Sequence, residues 1–237
     1  MPASTPSPRP PLRLDDLRPG RFLAHAARAA IFDFDGTLAA SGGVWGRVER
    51  TFLERRGIPH DAGFDERLAA MGFEDRALHT IGHYGLDDTV QQVCDEWNAL
   101  GRELYATEVR LRPGAEAYVR ALRSAGVPVA LATTNDPDVL AATEPRTHVL
   151  ELFDVRVHGR DVAHHTKEHP DIYLEVARRL GVAPRDCLVF EDVLPAVRTA
   201  RDAGMRAVGV RTDSPRQPWD DIRREADLAV EGWEGLA

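Results

Sequence analysis

The sequence has few cysteines, no long apolar run and no excess of positive charge. Its two cysteines, Cys94 and Cys187, lie far apart, and the second falls within an apolar run. They define no disulfide framework, so we expect a reduced, cytoplasmic protein. No apolar stretch approaches the about 20 residues of a membrane-spanning helix, which predicts that the protein has no membrane partner.

The net charge of −8 argues against a general nucleic-acid-binding protein, because such a protein needs a basic surface. A small anionic substrate remains compatible with this charge, since one lysine and a metal ion can reverse the field inside a pocket. The N-terminus is rich in proline and lacks the hydrophobic core of a signal peptide. We therefore expect residues 1–28 to form a disordered or extended tail.

Short apolar runs alternate with amphipathic segments along most of the chain, which predicts an α/β fold with a parallel sheet and helices on its faces. In such a fold, ligands bind outside the carboxyl ends of the strands. Residues 41–110 differ, because apolar residues recur there at helical spacing and no strand pattern appears. This block is interpreted as an inserted helical subdomain. The runs with strand character are ARAAIFDFD, VPVALATT, FDVRVHG, DCLVFED, MRAVGVR and ADLAV.

The segment IFDFDGTL places two aspartates directly after an apolar run. Asp33 and Asp35 stand at i and i+2, so an extended backbone directs both side chains to one face. Two such carboxylates repel each other unless a cation lies between them, which predicts Mg²⁺-assisted chemistry at a strand end. An acidic strand-to-turn junction is the structural alternative. A calcium loop is disfavoured because it requires ligands where Ile31 and Gly42 stand.

Further polar side chains follow the other predicted strands, and parallel strands bring such ends to one edge of a sheet. Each group has a structural alternative: polar residues are common at strand ends, most lysines are solvated, and an acidic pair can cap a helix. Their convergence favours a site, in which carboxylates suit Mg²⁺ and the other groups suit an anionic oxygen. These groups are Thr133, Thr134 and Asn135, then Lys167, then Glu191 and Asp192.

The motifs DFDGT, LAT, the lysine of TKEHPD, and FED together resemble the four motifs of the haloacid dehalogenase superfamily. LRPGA, KEHPDIYLEVARRLG and LVFEDVLPAVRTARDAGM are similar to its phosphatase and beta-phosphoglucomutase branch. The resemblance covers nearly the whole chain after the first about 28 residues, with boundaries good to about 2–4 residues. It implies a Rossmann-like core over residues 29–40 and 111–237, and a small helical cap of the C1 type over residues 41–110.

The resemblance also implies a role for each motif residue. Asp33 would attack phosphorus and form an aspartyl-phosphate, and Asp35 would protonate the leaving oxygen and then deprotonate water. Together with Thr133 and Lys167 they form the expected catalytic set. The implied phosphate-binding residues are Gly36, Thr133, Thr134, Asn135 and Lys167, and the implied Mg²⁺ ligands are Asp33, Asp35 through its backbone carbonyl, Glu191 and Asp192.

The sequence departs from the family pattern at three positions near these motifs. Glu168 stands where a proline is usual after the key lysine, Thr166 replaces a frequent glycine before it, and Val193 replaces a serine that can support the metal site. These departures concern the fine geometry of the site. The histidines 164, 165 and 169 match neither HExxH nor a zinc-finger spacing and are interpreted as loop residues.

The leading hypothesis is a Mg²⁺-dependent phosphatase, monomeric or homodimeric, that acts on a small phosphorylated metabolite such as a sugar phosphate. The resemblance disfavours a dehalogenase, because that branch lacks an acid at the position of Asp35. The alternative is a beta-phosphoglucomutase-like phosphomutase, whose cap-proximal histidine would fall near Trp45; no histidine lies between Thr37 and Arg56, which favours hydrolysis. A non-catalytic regulatory module with the same fold is the third hypothesis. Candidates for choosing the leaving group lie in the predicted cap: Trp45, Arg47, Phe73, Arg76 and His79.

Overall fold

A computed structural model describes residues 9–61, 72–164 and 166–237. Residues 1–8 of the predicted tail, most of the predicted helical segment DERLAAMGF, and His165 lie outside the described residues. The strands are β1 (Ala29–Phe32), β2 (Ala39–Ala40), β3 (Arg110–Leu111), β4 (Val129–Thr133), β5 (Val155–His158), β6 (Cys187–Glu191), β7 (Arg206–Val210) and β8 (Leu228–Val230).

Six of these strands form one parallel sheet in the order β5-β4-β1-β6-β7-β8. Each predicted strand run supplies one of them, so the predicted parallel α/β sheet is confirmed. β1, which the two aspartates follow directly, lies in the middle of the sheet, between β4 and β6. All four of its residues are fully buried, because helices cover both faces of the sheet and leave no solvent-facing side.

Alternate residues of β1 point into two different apolar layers. Ala30 and Phe32 belong to one core cluster and Ala29 and Ile31 to the other, as the two-residue period of a strand requires. Phe32 stacks on Phe190 of β6, with ring centroids 4.7 Å apart and planes inclined by 4°. This contact packs the two strands together one residue before the polar groups begin.

Helices cover both faces of the sheet and form the insertion. None of the described helices has the length and apolar character that crossing a membrane requires. The helices are α1 (Pro19–His25), α2 (Val44–Arg55), α3 (Phe73–Tyr84), α4 (Val90–Thr107), α5 (Ala115–Ser124), α6 (Pro137–Ala141), α7 (Glu144–Thr147), α8 (Asp171–Leu180), α9 (Leu194–Asp202) and α10 (Trp219–Glu225).

The helical insertion leaves and re-enters the core through a small antiparallel sheet. β2 pairs with β3, Ala39 opposite Leu111 and Ala40 opposite Arg110. The sequence pattern missed this pair because two-residue strands are too short to show a period. Between them, helices α2, α3 and α4 share an apolar cluster that includes Phe52 and Trp97. The division into core and cap at residues 41–110 stays a prediction.

The N-terminal segment from residue 9 onward is folded, and the expectation of a disordered or extended tail is wrong for residues 9–28. Leu17 and Phe22 are fully buried, within a 3₁₀ helix at Leu14–Leu17 and helix α1. The Tyr118 hydroxyl donates to the Leu17 carbonyl at 2.8 Å. The prolines of this segment obscured any period, while its spaced apolar residues still supply core contacts.

Leu17→Ala is expected to lower the free energy of unfolding by about 2–5 kcal/mol, because it empties a buried site. Leu14 lies in the same 3₁₀ helix but is 55% exposed, so Leu14→Ala is the matched control, with an expected change below about 0.5 kcal/mol. Urea denaturation followed by circular dichroism compares the two variants. Equally small effects would contradict the packing of this segment.

Candidate active site

The central strands deliver their polar ends to one edge of the sheet. β1 and β6 run in register with Phe32 opposite Phe190, so the next residues, Asp33 and Glu191, start side by side. β4 flanks β1 on the other side and ends at Thr133. The predicted convergence of strand ends therefore has a direct structural basis in the strand register.

Lys167, in the loop before α8, bridges two buried carboxylates. Its ammonium donates to Asp33 Oδ1 and, at 2.6 Å, to Glu191 Oε1. Asp33 is 6% and Glu191 0% exposed. Ligand oxygens of Asp33, Glu191 and Asp192 lie within 4.8 Å of one another. Three carboxyl groups thus share this edge with one lysine.

The pKa values of these carboxyl groups show that Lys167 only partly offsets their negative charge. Burial raises the pKa of Glu191 to about 7, although Lys167 opposes the shift. Burial also raises the pKa of Asp192, and the neighbouring carboxylates Asp33 and Glu191 raise it further. Within the described part of the chain, Asp33 Oδ2 and Glu191 Oε2 have no hydrogen-bond partner. Buried, unpartnered carboxylate oxygens fit a hard divalent cation.

Asp35 lies apart from this trio, and other residues hold its carboxyl group. Tyr105 Oη donates to Asp35 Oδ1 and Asn135 Nδ2 donates to Asp35 Oδ2, each at 2.5 Å. Burial, and then the charge of Asp33, raise the pKa of Asp35 to about 6. A carboxyl with a pKa near neutrality can both donate and accept a proton, as a general acid and base must.

The remaining predicted residues occupy different positions around this edge. Thr133 is buried, and its hydroxyl accepts the Asn135 backbone N–H at 3.2 Å, whereas Thr134 is exposed. Asn135 faces Asp35 with its side-chain amide. Gly36 has φ +81°, and an added Cβ would lie 2.1 Å from Asp192 Oδ2. Glycine is therefore required for the chain to turn this close to the carboxylate.

The acidic pair at the end of β6 does not cap the next helix. The N-cap of α9 is Val193, and no side chain accepts a hydrogen bond there, which removes the capping alternative for Glu191 and Asp192. The departures from the family pattern lie outside the carboxylate trio: Val193 is 45% exposed, Glu168 is exposed, and the Thr166 hydroxyl accepts the Glu168 backbone N–H at 3.4 Å.

The candidates for leaving-group selection have mixed environments. Trp45 packs edge-on against Phe73, with ring centroids 5.2 Å apart, and its ring centroid is 6.1 Å from that of Tyr105. Arg47 pairs with Glu108 at 2.5 Å and Arg76 pairs with Glu49. His79 is exposed on α3. Of the histidines near Lys167, His164 bonds Asp171 at 2.6 Å and stacks on His169.

Several residues of the site escaped the sequence analysis. Tyr105 and Tyr173 look in the sequence like ordinary apolar-face aromatics, yet the Tyr173 hydroxyl donates to Glu191 Oε1 at 2.7 Å. The Thr37 hydroxyl donates to Asp192 Oδ1 at 3.3 Å. Thr37 belongs to the DFDGT motif, but no local signal predicts its partner or those of the two tyrosines, since all three contacts join distant segments. Lys167, by contrast, is a predicted site residue, and its being the only lysine in the sequence is a further signal that marks it.

Comparison with known proteins gives a consistent set of similarities. The family model described as haloacid dehalogenase-like hydrolase matches residues 27–204. A probable pseudouridine-5'-phosphatase of Drosophila melanogaster is 32% identical over 186 residues, covering 76% of this chain and 80% of that protein. The bifunctional riboflavin kinase/FMN phosphatase of Arabidopsis thaliana is 31% identical over 221 residues, or 89% of this chain, which spans 57% of that protein's length.

Solved structures extend the similarity to three dimensions. CbbY from Rhodobacter sphaeroides in complex with phosphate superimposes with a TM-score of 0.76 at 25% identity, covering 89% of this chain and 96% of that one. A CbbY mutant from the same organism, in complex with xylulose-(1,5)bisphosphate, gives a TM-score of 0.78 over the same shares. The fold, with its helical insertion, is therefore shared over nearly the full described chain.

Lys167 is expected to resist an amine-acylating reagent in the folded protein and to react after denaturation. Burial lowers its pKa, but Asp33 and Glu191 outweigh burial and raise it overall, and a protonated amine is not nucleophilic. Peptide mass mapping after labelling with and without urea measures this, with the α-amino group as internal control. Rapid labelling of Lys167 in the folded protein would contradict the buried ion pairs.

Proposed function

Because the chain belongs to the haloacid dehalogenase-like hydrolase family, we propose that it is a Mg²⁺-dependent phosphatase that hydrolyses a small phosphorylated metabolite through an aspartyl-phosphate. The observation that carries this proposal is the environment of Asp33. One of its oxygens accepts from Lys167, while the other is buried and has no hydrogen-bond partner among the described residues, as expected of a carboxylate that both binds a cation and attacks phosphorus. The similar proteins described as phosphatases support the same reaction class.

In the first step, Asp33 forms a bond to phosphorus as the bond from phosphorus to the leaving oxygen breaks. Asp35 gives its proton to that oxygen, so that an alcohol departs. Lys167 and Thr133 hold the phosphoryl oxygens, and the charge of Lys167 offsets the charge that develops on them. Positioning and charge stabilisation of this kind supply most of the rate in phosphoryl transfer.

In the second step, Asp35, now ionised, takes a proton from water, and the oxygen of that water attacks phosphorus. The bond from phosphorus to Asp33 breaks, inorganic phosphate leaves, and both aspartates return to their starting states. A raised pKa suits Asp35 to both halves of this cycle, because the group must be protonated first and ionised afterwards.

The carboxylates of Asp33, Glu191 and Asp192, with the backbone carbonyl of Asp35, would hold Mg²⁺. When bound, the ion neutralises negative charge on the phosphoryl group and on the carboxylates around it. Gly36 lets the chain approach Asp192, and Thr37 and Tyr173 orient the ligand carboxylates by donating to them. These three residues would thus shape the proposed metal site.

A sugar phosphate is the substrate class that we place first. Tyr105 contacts Asp35 and Trp45 packs against both Tyr105 and Phe73, so aromatic side chains of the insertion cluster next to the residue that contacts the acid, which would suit the apolar face of a sugar. Sugar phosphates are the first class to test. Both cysteines are free and buried, in keeping with a reduced cytoplasmic location, and the oligomeric state, monomer or homodimer, stays a prediction.

Purified protein with Mg²⁺ is expected to release phosphate from p-nitrophenyl phosphate and from members of a sugar-phosphate panel. Asp33→Asn removes the nucleophile and should lower kcat by at least about 10³-fold. Asp138→Asn changes an exposed carboxylate near the same strand ends and is the matched control. No turnover across a broad panel would overturn the phosphatase, and isomerised sugar phosphate with little free phosphate would indicate a phosphomutase.

Mg²⁺ is expected to raise the melting temperature, because an ion that binds the folded state stabilises it by about 2.7 kcal/mol at 100 times its Kd. Asp192→Asn should abolish this rise while leaving the metal-free protein at least as stable, since it removes one of three repelling carboxylates. Glu151→Gln alters a separate surface group formed by Glu144, His148 and Glu151 and should keep the rise. A Mg²⁺ response that survives Asp192→Asn would contradict the proposed site.

A further inference from the structure

Tyr105 brings the helical insertion into direct contact with Asp35. It lies in the last turns of α4, is fully buried, and donates its hydroxyl hydrogen to Asp35 Oδ1 at 2.5 Å. Asn135 Nδ2 donates both to Asp35 Oδ2, at 2.5 Å, and to the Tyr105 hydroxyl oxygen, at 3.1 Å. Core and insertion therefore hold the same acid from two sides.

The core fixes the helix end that carries Tyr105. Arg146 in α7 donates from Nε to the Ala106 carbonyl at 2.5 Å, and from Nη2 to the carbonyls of Tyr105 and Val109 at 2.5 and 2.8 Å. Carbonyl groups at the end of a helix lack partners within the helix, and a cation there is favourable. The last turn of α4 is thereby tied to the core, and the tyrosine hydroxyl has a defined position.

We propose that Tyr105 is a positioning residue that orients the Asp35 carboxyl for proton transfer to the leaving group, an inference that rests on the proposed phosphatase function. A carboxyl group rotates about its Cβ–Cγ bond, and donors on both of its oxygens restrict that rotation. Proton transfer depends steeply on alignment, since a displacement of about 1 Å can cost 10²-fold in rate. The insertion thus contributes to the chemistry of Asp35 as well as to the choice of leaving group.

The test compares two leaving groups in Tyr105→Phe, which removes only the hydroxyl. An aliphatic alkoxide needs the proton of Asp35 to depart, whereas p-nitrophenolate leaves without one. On an aliphatic ester that the wild type hydrolyses, kcat should fall about 10- to 100-fold with KM changed by less than about twofold. The pre-steady-state burst of p-nitrophenol, which reports formation of the phosphoenzyme, should keep its rate within about twofold of the wild type.

Tyr118→Phe is the matched control, because it removes another fully buried hydroxyl whose hydrogen bond goes to the Leu17 carbonyl. Tyr118→Phe should leave unchanged the ratio of the rates measured with the two substrates. Full activity of Tyr105→Phe on the aliphatic ester would overturn the inference. So would an equal loss of rate on both substrates that is accompanied by a lower melting temperature, because that result would indicate a loss of structure. An inactive wild type would remove the proposed function together with this inference, whereas an active wild type with an unaffected Tyr105→Phe would remove the inference alone.

Discussion

The structure depends on two buried carboxyl groups, Asp33 and Glu191, that lie with the half-buried Asp192 beside a single lysine. Charges that leave water are tolerated only when they are paired or bind a metal. Lys167 pairs with Asp33 and Glu191 and leaves one oxygen of each without a partner among the described residues. The carboxylates are therefore incompletely balanced by Lys167, and this imbalance suits the site to a divalent cation.

The fold holds this arrangement by simple means. The stacked rings of Phe32 and Phe190 lie immediately before Asp33 and Glu191, so packing in the core sets the spacing of the carboxylates. Gly36 then turns the chain against Asp192 where a side chain would clash. Core stability and site geometry are therefore coupled through the central strands, and the helical insertion adds contacts from outside the sheet.

The sheet and the residues at its strand ends could be predicted from local sequence pattern, whereas the contact of Tyr105 and the folded N-terminal segment could not. The strand ends of the sheet follow from apolar runs and from the rule that parallel strands end at one edge, which locates Asp33, Thr133 and Glu191. Tyr105 stands 70 positions from Asp35. The periodicity of a helix shows which of its residues are buried, but it does not show which one contacts a carboxyl group in a distant segment. The folded N-terminal segment was missed for a related reason, since Leu17 packs against residues far along the chain.

In the proposed mechanism, the different surroundings of the two aspartates give them two different roles at one edge of the sheet. Asp33 lies among charges and Asp35 among neutral donors, so one is suited to attack and the other to proton transfer.

The most direct measurement is the intact mass of the protein quenched in acid during turnover of p-nitrophenyl phosphate with Mg²⁺. Covalent catalysis predicts one added phosphoryl group, located at Asp33 by borohydride reduction and peptide mapping. Turnover in which Asp33 never carries phosphate would contradict it.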